Sequence, residues 1–207
     1  MKVYLVRHGH ATLNMEGAAD RFCGRTDVPL SERGRAQARE LGKVLRAQGI
    51  SRIYHSGLQR SIQTAEIILG EFSDNRARVD LSLAEGMQEV PFGEWEGKTK
   101  AEVRSLDSVL YEQWEKQPAS TVIPGARPFL PLYEAAIASL SALKGLHNQE
   151  NIVVVGHSTI NRLILIGLLG ADLNKYRIIR QDNCAINVLE FKEGSAVTLE
   201  KVNWTAL

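Results

Sequence analysis

The sequence predicts an α/β fold of three layers, with helices on both faces of a mostly parallel central sheet. Three observations carry that reading. Ile152-Val153-Val154-Val155 is a continuous β-branched run, the mark of a strand covered on both faces. Short apolar runs alternate with helical stripes from one end of the chain to the other, as βαβ units require. No Pro/Gly/Ser-rich linker, internal repeat or low-complexity tract divides the 207 residues, so one domain spanning 1–207 is expected.

The elements follow in order. Val3 to Val6 form a short apolar strand, followed by an irregular stretch over 9–30 rich in small and polar residues. Ser31 is placed as a helix cap; Ala38, Leu41 and Leu45 mark one helical face, and Gly49 ends it. Arg52 to His55 read as a strand broken by Ser56-Gly57, and Ile62, Ala65 and Leu69 stripe the helix that follows. A strand over 79–83 precedes a loop running through Pro91 and Gly97. Val103, Leu106, Leu110 and Trp114 have helical spacing, as do Phe129, Leu132, Ala136, Leu140 and Leu143. After the strand 152–155 come a helix from Thr159 to Leu169 and strands near 185–191 and 197–203.

Composition narrows the function. With 25 basic and 24 acidic residues the formal net charge is +1, which gives no general attraction to nucleic acid or anionic membrane. The apolar segment from Leu163 to Leu169 is interrupted by Gly167 and flanked by Gly170, so it reads as a core helix, and no membrane association is expected. The residues ahead of Arg7 are too few for a signal peptide. Cys23 and Cys184 are the only cysteines; they make no disulfide framework and have no metal-ligand spacing around them, so a reducing, cytoplasmic setting is expected.

In an open α/β sheet ligands bind beyond the carboxyl ends of the strands. Three predicted strand ends deliver Arg7-His8-Gly9, Ser56-Gly57-Leu58-Gln59-Arg60 and Gly156-His157-Ser158. Two guanidinium forks suit a phosphoryl dianion, which Arg7 and Arg60 could clamp. A neutral imidazole is a competent nucleophile toward phosphorus, and cationic neighbours favour the neutral ring, which selects His8 beside Arg7. His157 is then placed to stabilise charge on the phosphoryl oxygens. A leaving alkoxide needs a proton, and Glu85 and Glu89 are both candidates to give it. His10, His55 and His147 are read as having no chemical role, and Trp95, Tyr111 and Trp114 as packing residues.

With these residues in view, the chain from Met1 to about Phe191 resembles the histidine phosphatase (phosphoglycerate-mutase-like) superfamily. The resemblance rests on five segments in order: Arg7-His8-Gly9 with Asn14; Cys23-Gly24 and Asp27 to Ser31 with Gly34, Gln37 and Ala38; Ser56 to Arg60 with Gln63-Thr64-Ala65; Met87 to Gly97; and Gly156-His157-Ser158. It implies that His8 becomes a phosphohistidine and that Arg7, Arg60 and His157 complete the phosphate pocket. Because the family's glutamate stands three residues before the aromatic of an aromatic-Gly pair, it selects Glu89, ahead of Phe92-Gly93, over Glu85. Asn14, Cys23, Gly24 and Ser158 would line the substrate site, and no metal or other cofactor is implied. The region 86–130 would form a helical and loop lid. His10 and Ala11 stand where Glu and Thr are usual, and Pro124 to Arg127 replace a Gly-Glu-Ser run, leaving Arg127 as a reader of a second negative group or an ordinary surface residue. The short loop after Phe92-Gly93 resembles the phosphatase branch. The expected function is hydrolysis of small phosphate monoesters, of the α-ribazole-5′-phosphate or broad-specificity type. A phosphoglycerate-mutase-type phosphotransferase and a non-catalytic phosphometabolite-binding protein are the alternatives, and a homodimer is possible.

Overall fold

The computed structural model of the chain describes residues 1–14, 21–72, 79–192 and 197–205. Six strands form one sheet: β1 (Lys2–Arg7), β2 (Ile50–His55), β3 (Asp80–Leu83), β4 (Asn151–Gly156), β5 (Ile186–Glu190) and β6 (Thr198–Trp204). Their spatial order is β3-β2-β4-β1-β5-β6. The pairs β1–β4, β2–β4 and β2–β3 are parallel, and β1–β5 and β5–β6 are antiparallel.

Alternation along β1 divides the two faces, because successive side chains point to opposite sides of a strand. Val3 and Leu5 join one core with Ile152 and Val154, covered by α5 (Phe129–Leu146) and α6 (Ser158–Leu168). Tyr4 and Val6 join the other with Val153 and Val155, covered by α1 (Glu32–Leu45) and α2 (Gln59–Gly70). The four residues Ile152 to Val155 are wholly buried. Each contributes roughly 1.5–3 kcal/mol through removal from water, which is why β4 lacks the polar alternation of a one-sided strand.

Ser31 caps α1 as expected, its hydroxyl accepting from the Gly34 N–H. Just beyond β1 the chain crosses the start of α1 so closely that a side chain on Gly34 would meet the His10 carbonyl oxygen at 2.0 Å, and one on Gly9 would meet the Gly34 carbonyl oxygen at 2.6 Å. The two glycines let α1 lie against the exit of β1.

The single helix expected from the Val103–Trp114 spacing is two: α3 (Lys100–Leu106) and α4 (Ser108–Lys116). Asp107 is extended, at φ −150°, and its carboxylate caps α4 by accepting from the Leu110 N–H. The spacing misled because Leu106, 70% exposed, belongs to no buried stripe. Trp95, Tyr111 and Trp114 are buried with Phe22 and Phe92 in one aromatic cluster that ties α4 to the loop before α3. Among the described residues no helix is long and apolar enough to cross a membrane.

Candidate active site

The sheet order sets β1 between β4 and β5, with β2 on the far side of β4, so the carboxyl ends of β1, β2 and β4 lie side by side. They bring Arg7, His8, Arg60 and His157 together at one edge. The ring centroids of His8 and His157 are 5.0 Å apart, and Arg60 Nε donates to His8 Nε2 at 3.2 Å.

Hydrogen bonding fixes the state of His8. Its Nδ1 lies 2.7 Å from the Gly9 carbonyl oxygen, which can only accept. The proton is therefore on Nδ1, and Nε2 presents a lone pair toward Arg60. Burial, and then the charges of Arg60 and Arg7, hold this imidazole well below its ordinary titration range. His8 is thus a neutral, buried base with one lone pair aimed into a cationic pocket.

Arg60 is almost wholly buried. Its two Nη atoms donate to the Gly24 and Thr26 carbonyls at 2.7 and 2.8 Å, fastening the 24–26 loop over the site. Its own backbone carbonyl accepts from Thr64 Oγ1, which in turn accepts the Gly9 N–H. Arg7, at the end of β1, donates through Nη1 to the Gln181 carbonyl at 2.6 Å, while its Nε is buried with no partner among the described residues. Burial lowers the Arg7 guanidinium to about 10, with Glu89 opposing and Arg162 reinforcing the shift.

His157 is fully buried and stands at the cap position of α6. Its Nε2 is 2.6 Å from Ser56 Oγ, and its Nδ1 has no partner among the described residues. Burial, Arg60 and His8 all hold this ring well below its ordinary range as well. Ser158 opens α6 beside it, partly exposed.

Glu89, 7% exposed, lies against the start of α6. Its Oε1 accepts from the Val90 and Ile160 N–H groups and its Oε2 from the Thr159 N–H, each at 3.0 Å. The positive end of a helix holds a carboxylate at this place. Glu85 is instead exposed and lines a separate, mostly apolar groove with Gly86, Ala135 and Leu143. Cys23 is half-buried, and burial raises its thiol. Gly24 is left-handed, at φ +49°, where a side chain would run into the Glu96 carboxylate. Asn14 ends a one-turn helix, Thr12–Asn14, and its side chain lies outside the described residues.

Sequence reasoning missed the residues that hold these groups in place. Glu96 accepts from the Arg25 and Phe92 N–H groups and from the Thr26 hydroxyl, locking the 24–26 loop to the loop carrying Glu89. Arg25 Nε donates to the Glu89 carbonyl at 2.9 Å, and burial, then the charge of the exposed Arg127, lowers the Arg25 guanidinium. Arg162, on α6, has a buried Nε without a partner among the described residues. Glu96 stood inside the Met87–Gly97 segment, and its nearness to Gly24 in space was the signal that spacing along the chain does not carry. Among the described residues no group of three His, Cys, Asp or Glu side chains is arranged to hold a metal.

Comparison with known proteins bears on the family and the fold. The probable 2-carboxy-D-arabinitol-1-phosphatase of Arabidopsis thaliana is 30% identical over 191 residues, 92% of this chain and 38% of that protein. The chain thus spans well under half of that relative's length. Phosphoserine phosphatase 1 of Hydrogenobacter thermophilus is 29% identical over 205 residues, 99% of this chain and 93% of that one. Among solved structures, a phosphoserine phosphatase mutant from Entamoeba histolytica in complex with phosphoserine superposes with a TM-score of 0.82 at 26% identity, covering 98% of this chain and 96% of that one. The model of the histidine phosphatase superfamily, branch 1, matches residues 3–205, from the first strand of the sheet through the last, and the chain belongs to that family.

Proposed function

We propose that the chain is a metal-independent phosphatase that hydrolyses small phosphate monoesters through a phosphohistidine on His8, of the α-ribazole-5′-phosphate or broad-specificity type. The observation that carries this reading is the tautomer of His8: a protonated Nδ1 on the Gly9 carbonyl, and an unprotonated Nε2 facing Arg60. The phosphatase names of relatives aligned over nearly the whole chain support it.

In the first step the Nε2 lone pair attacks phosphorus. The N–P bond forms as the bond to the ester oxygen breaks, and the leaving oxygen takes a proton from the Glu89 carboxyl. Glu89 Oε2 accepts one hydrogen bond where Oε1 accepts two, so Oε2 keeps a lone pair to carry that proton. The free Nε of Arg7 and the unpartnered Nδ1 of His157 bind the phosphoryl oxygens as charge moves onto them. In the second step water attacks phosphorus and gives its proton to Glu89, the N–P bond breaks, and inorganic phosphate leaves with His8 neutral again.

The test is turnover of p-nitrophenyl phosphate in EDTA, together with rapid-quench labelling by a 32P-labelled ester. Acid-labile label on the wild type, none on His8→Ala, and a labelled enzyme that water discharges within one turnover are the expected results. A label that persists for minutes in water and passes to an added alcohol assigns the mutase instead. Absence of turnover with phosphate-dependent stabilisation assigns the binding protein.

A further inference from the structure

Among the described residues the Arg7 guanidinium is hydrogen-bonded to a single peptide group, and that group is itself clamped from the far side. The carbonyl of the 181–182 peptide accepts Arg7 Nη1 at 2.6 Å. The N–H of the same peptide donates to Asn203 Oδ1 at 2.7 Å. In a trans peptide the two bonds point in opposite directions, so fixing the N–H aims the carbonyl.

Asn203 is equipped for this. It lies in β6 with φ +51°, one of two left-handed non-glycine residues among those described, and the β5–β6 register shifts between Ile186 and Val188, the stretch that holds Asn187. Its Nδ2 donates to Asp182 Oδ2 at 2.9 Å, and its backbone N–H donates to Asn187 Oδ1 at 2.9 Å. Asn187 is fully buried in β5 and uses every polar valence of its amide. Nδ2 donates to the Leu5 carbonyl and to Gln181 Oε1; Oδ1 accepts from Gln181 Nε2 and from Asn203. Gln181, also buried, is thereby held by a reciprocal amide pair, while its own carbonyl faces Arg7. A buried polar network this completely satisfied is rigid, and breaking one member leaves others unpaired.

The orientation has a consequence for the guanidinium. Nη1 is the nitrogen on the side away from the Nε–H, so tethering it leaves Nε–H and the adjacent N–H of Nη2 as an undivided bidentate edge. Nε is the atom that is buried with no partner among the described residues.

We propose that Asn203 and the Asn187–Gln181 amide pair are positioning residues for phosphate recognition, acting through Arg7 from the edge of the sheet. This rests on the reading of Arg7 as part of the phosphate pocket.

The test is Asn203→Gly, which removes the side-chain tethers yet tolerates the left-handed backbone, measured alone and with Arg7→Lys, which lacks the fork. The probes are the dissociation constant of inorganic phosphate and kcat/KM on p-nitrophenyl phosphate. Asn203→Gly alone is expected to weaken phosphate at least fivefold while the protein stays folded at the assay temperature, its melting temperature falling by no more than a few degrees. On the Arg7→Lys background the same change is expected to alter affinity by less than twofold, because the route through Arg7 is already cut. Phosphate affinity within twofold of wild type for Asn203→Gly, or an equal loss on both backgrounds, overturns the proposal. Because phosphate binding is measured apart from turnover, a wild type that binds phosphate in this coupled way but hydrolyses no ester defeats the catalytic reading and leaves the positioning role standing.

Discussion

Two buried imidazoles that stay neutral make the fold sensitive to acid in a calculable way. His8 and His157 both sit well below their ordinary titration range, through burial first and then Arg60. In the unfolded chain each returns to about 6.5. Above that pH both states are neutral and no stability is at stake. As pH falls through it the unfolded state takes up protons that the folded state refuses, so stability rises with pH in this window and is lost on acidification. For a ring neutral in the folded state down to pH 5.5, the loss relative to pH 7.5 is RT ln(11/1.1), about 1.36 kcal/mol, or about 2.7 kcal/mol for the pair. At roughly 2–4 °C per kcal/mol for a chain of this size, the melting temperature should fall by about 5–10 °C from these two groups. The assay is urea unfolding at pH 7.5 and 5.5 for wild type, His8→Asn and His157→Asn. Each variant should lose about half of this acid sensitivity, which separates the two rings from every other titrating group. An identical pH 7.5-to-5.5 difference in all three proteins would refute the assignment of neutral, buried imidazoles.

Other perturbations probe the acid and the backbone crossing. Glu89→Gln should lower turnover of alkyl phosphates by about 10²–10⁴-fold, the range for lost general acid catalysis, and that of p-nitrophenyl phosphate far less; steady-state rates on both ester types check this, and equal losses count against Glu89 as the acid. Gly34→Ala places a methyl 2.0 Å from the His10 carbonyl oxygen, a backbone atom with no freedom to retreat, and should cost about 1–3 kcal/mol or more in denaturant unfolding. Gly145→Ala in α5 meets nothing within 4 Å and should stabilise by about 0.4–1 kcal/mol in the same measurement.

The alternation of strands and helices was legible because each element carries its own period. The stripe Phe129, Leu132, Ala136, Leu140, Leu143 is buried along its whole length, and the run 152–155 lies at the middle of the sheet. Leu106 shows where periodicity fails: it fits the spacing, but Asp107 takes the role of a cap and turns the chain. The grouping of Arg7, His8, Arg60 and His157 was legible because strand ends converge in a parallel sheet. What spacing could not carry was the scaffolding around them. Glu96, Ser56, Thr64 and Asn203 act through contacts made by residues far apart in the chain. Each is a common polar residue whose partner becomes apparent only once the chain has folded.

The pairing of β1 has a bearing on biosynthesis. This strand lies between β4 and β5, so one of its edges stays unsatisfied until the ribosome has delivered residues as far as Gly156 and the other until Glu190. At about 5–20 residues per second, an apolar ribbon with bare amides on both sides waits on the order of ten seconds or more for its neighbours. The strand that leads into His8 is therefore made long before the strands that shelter it.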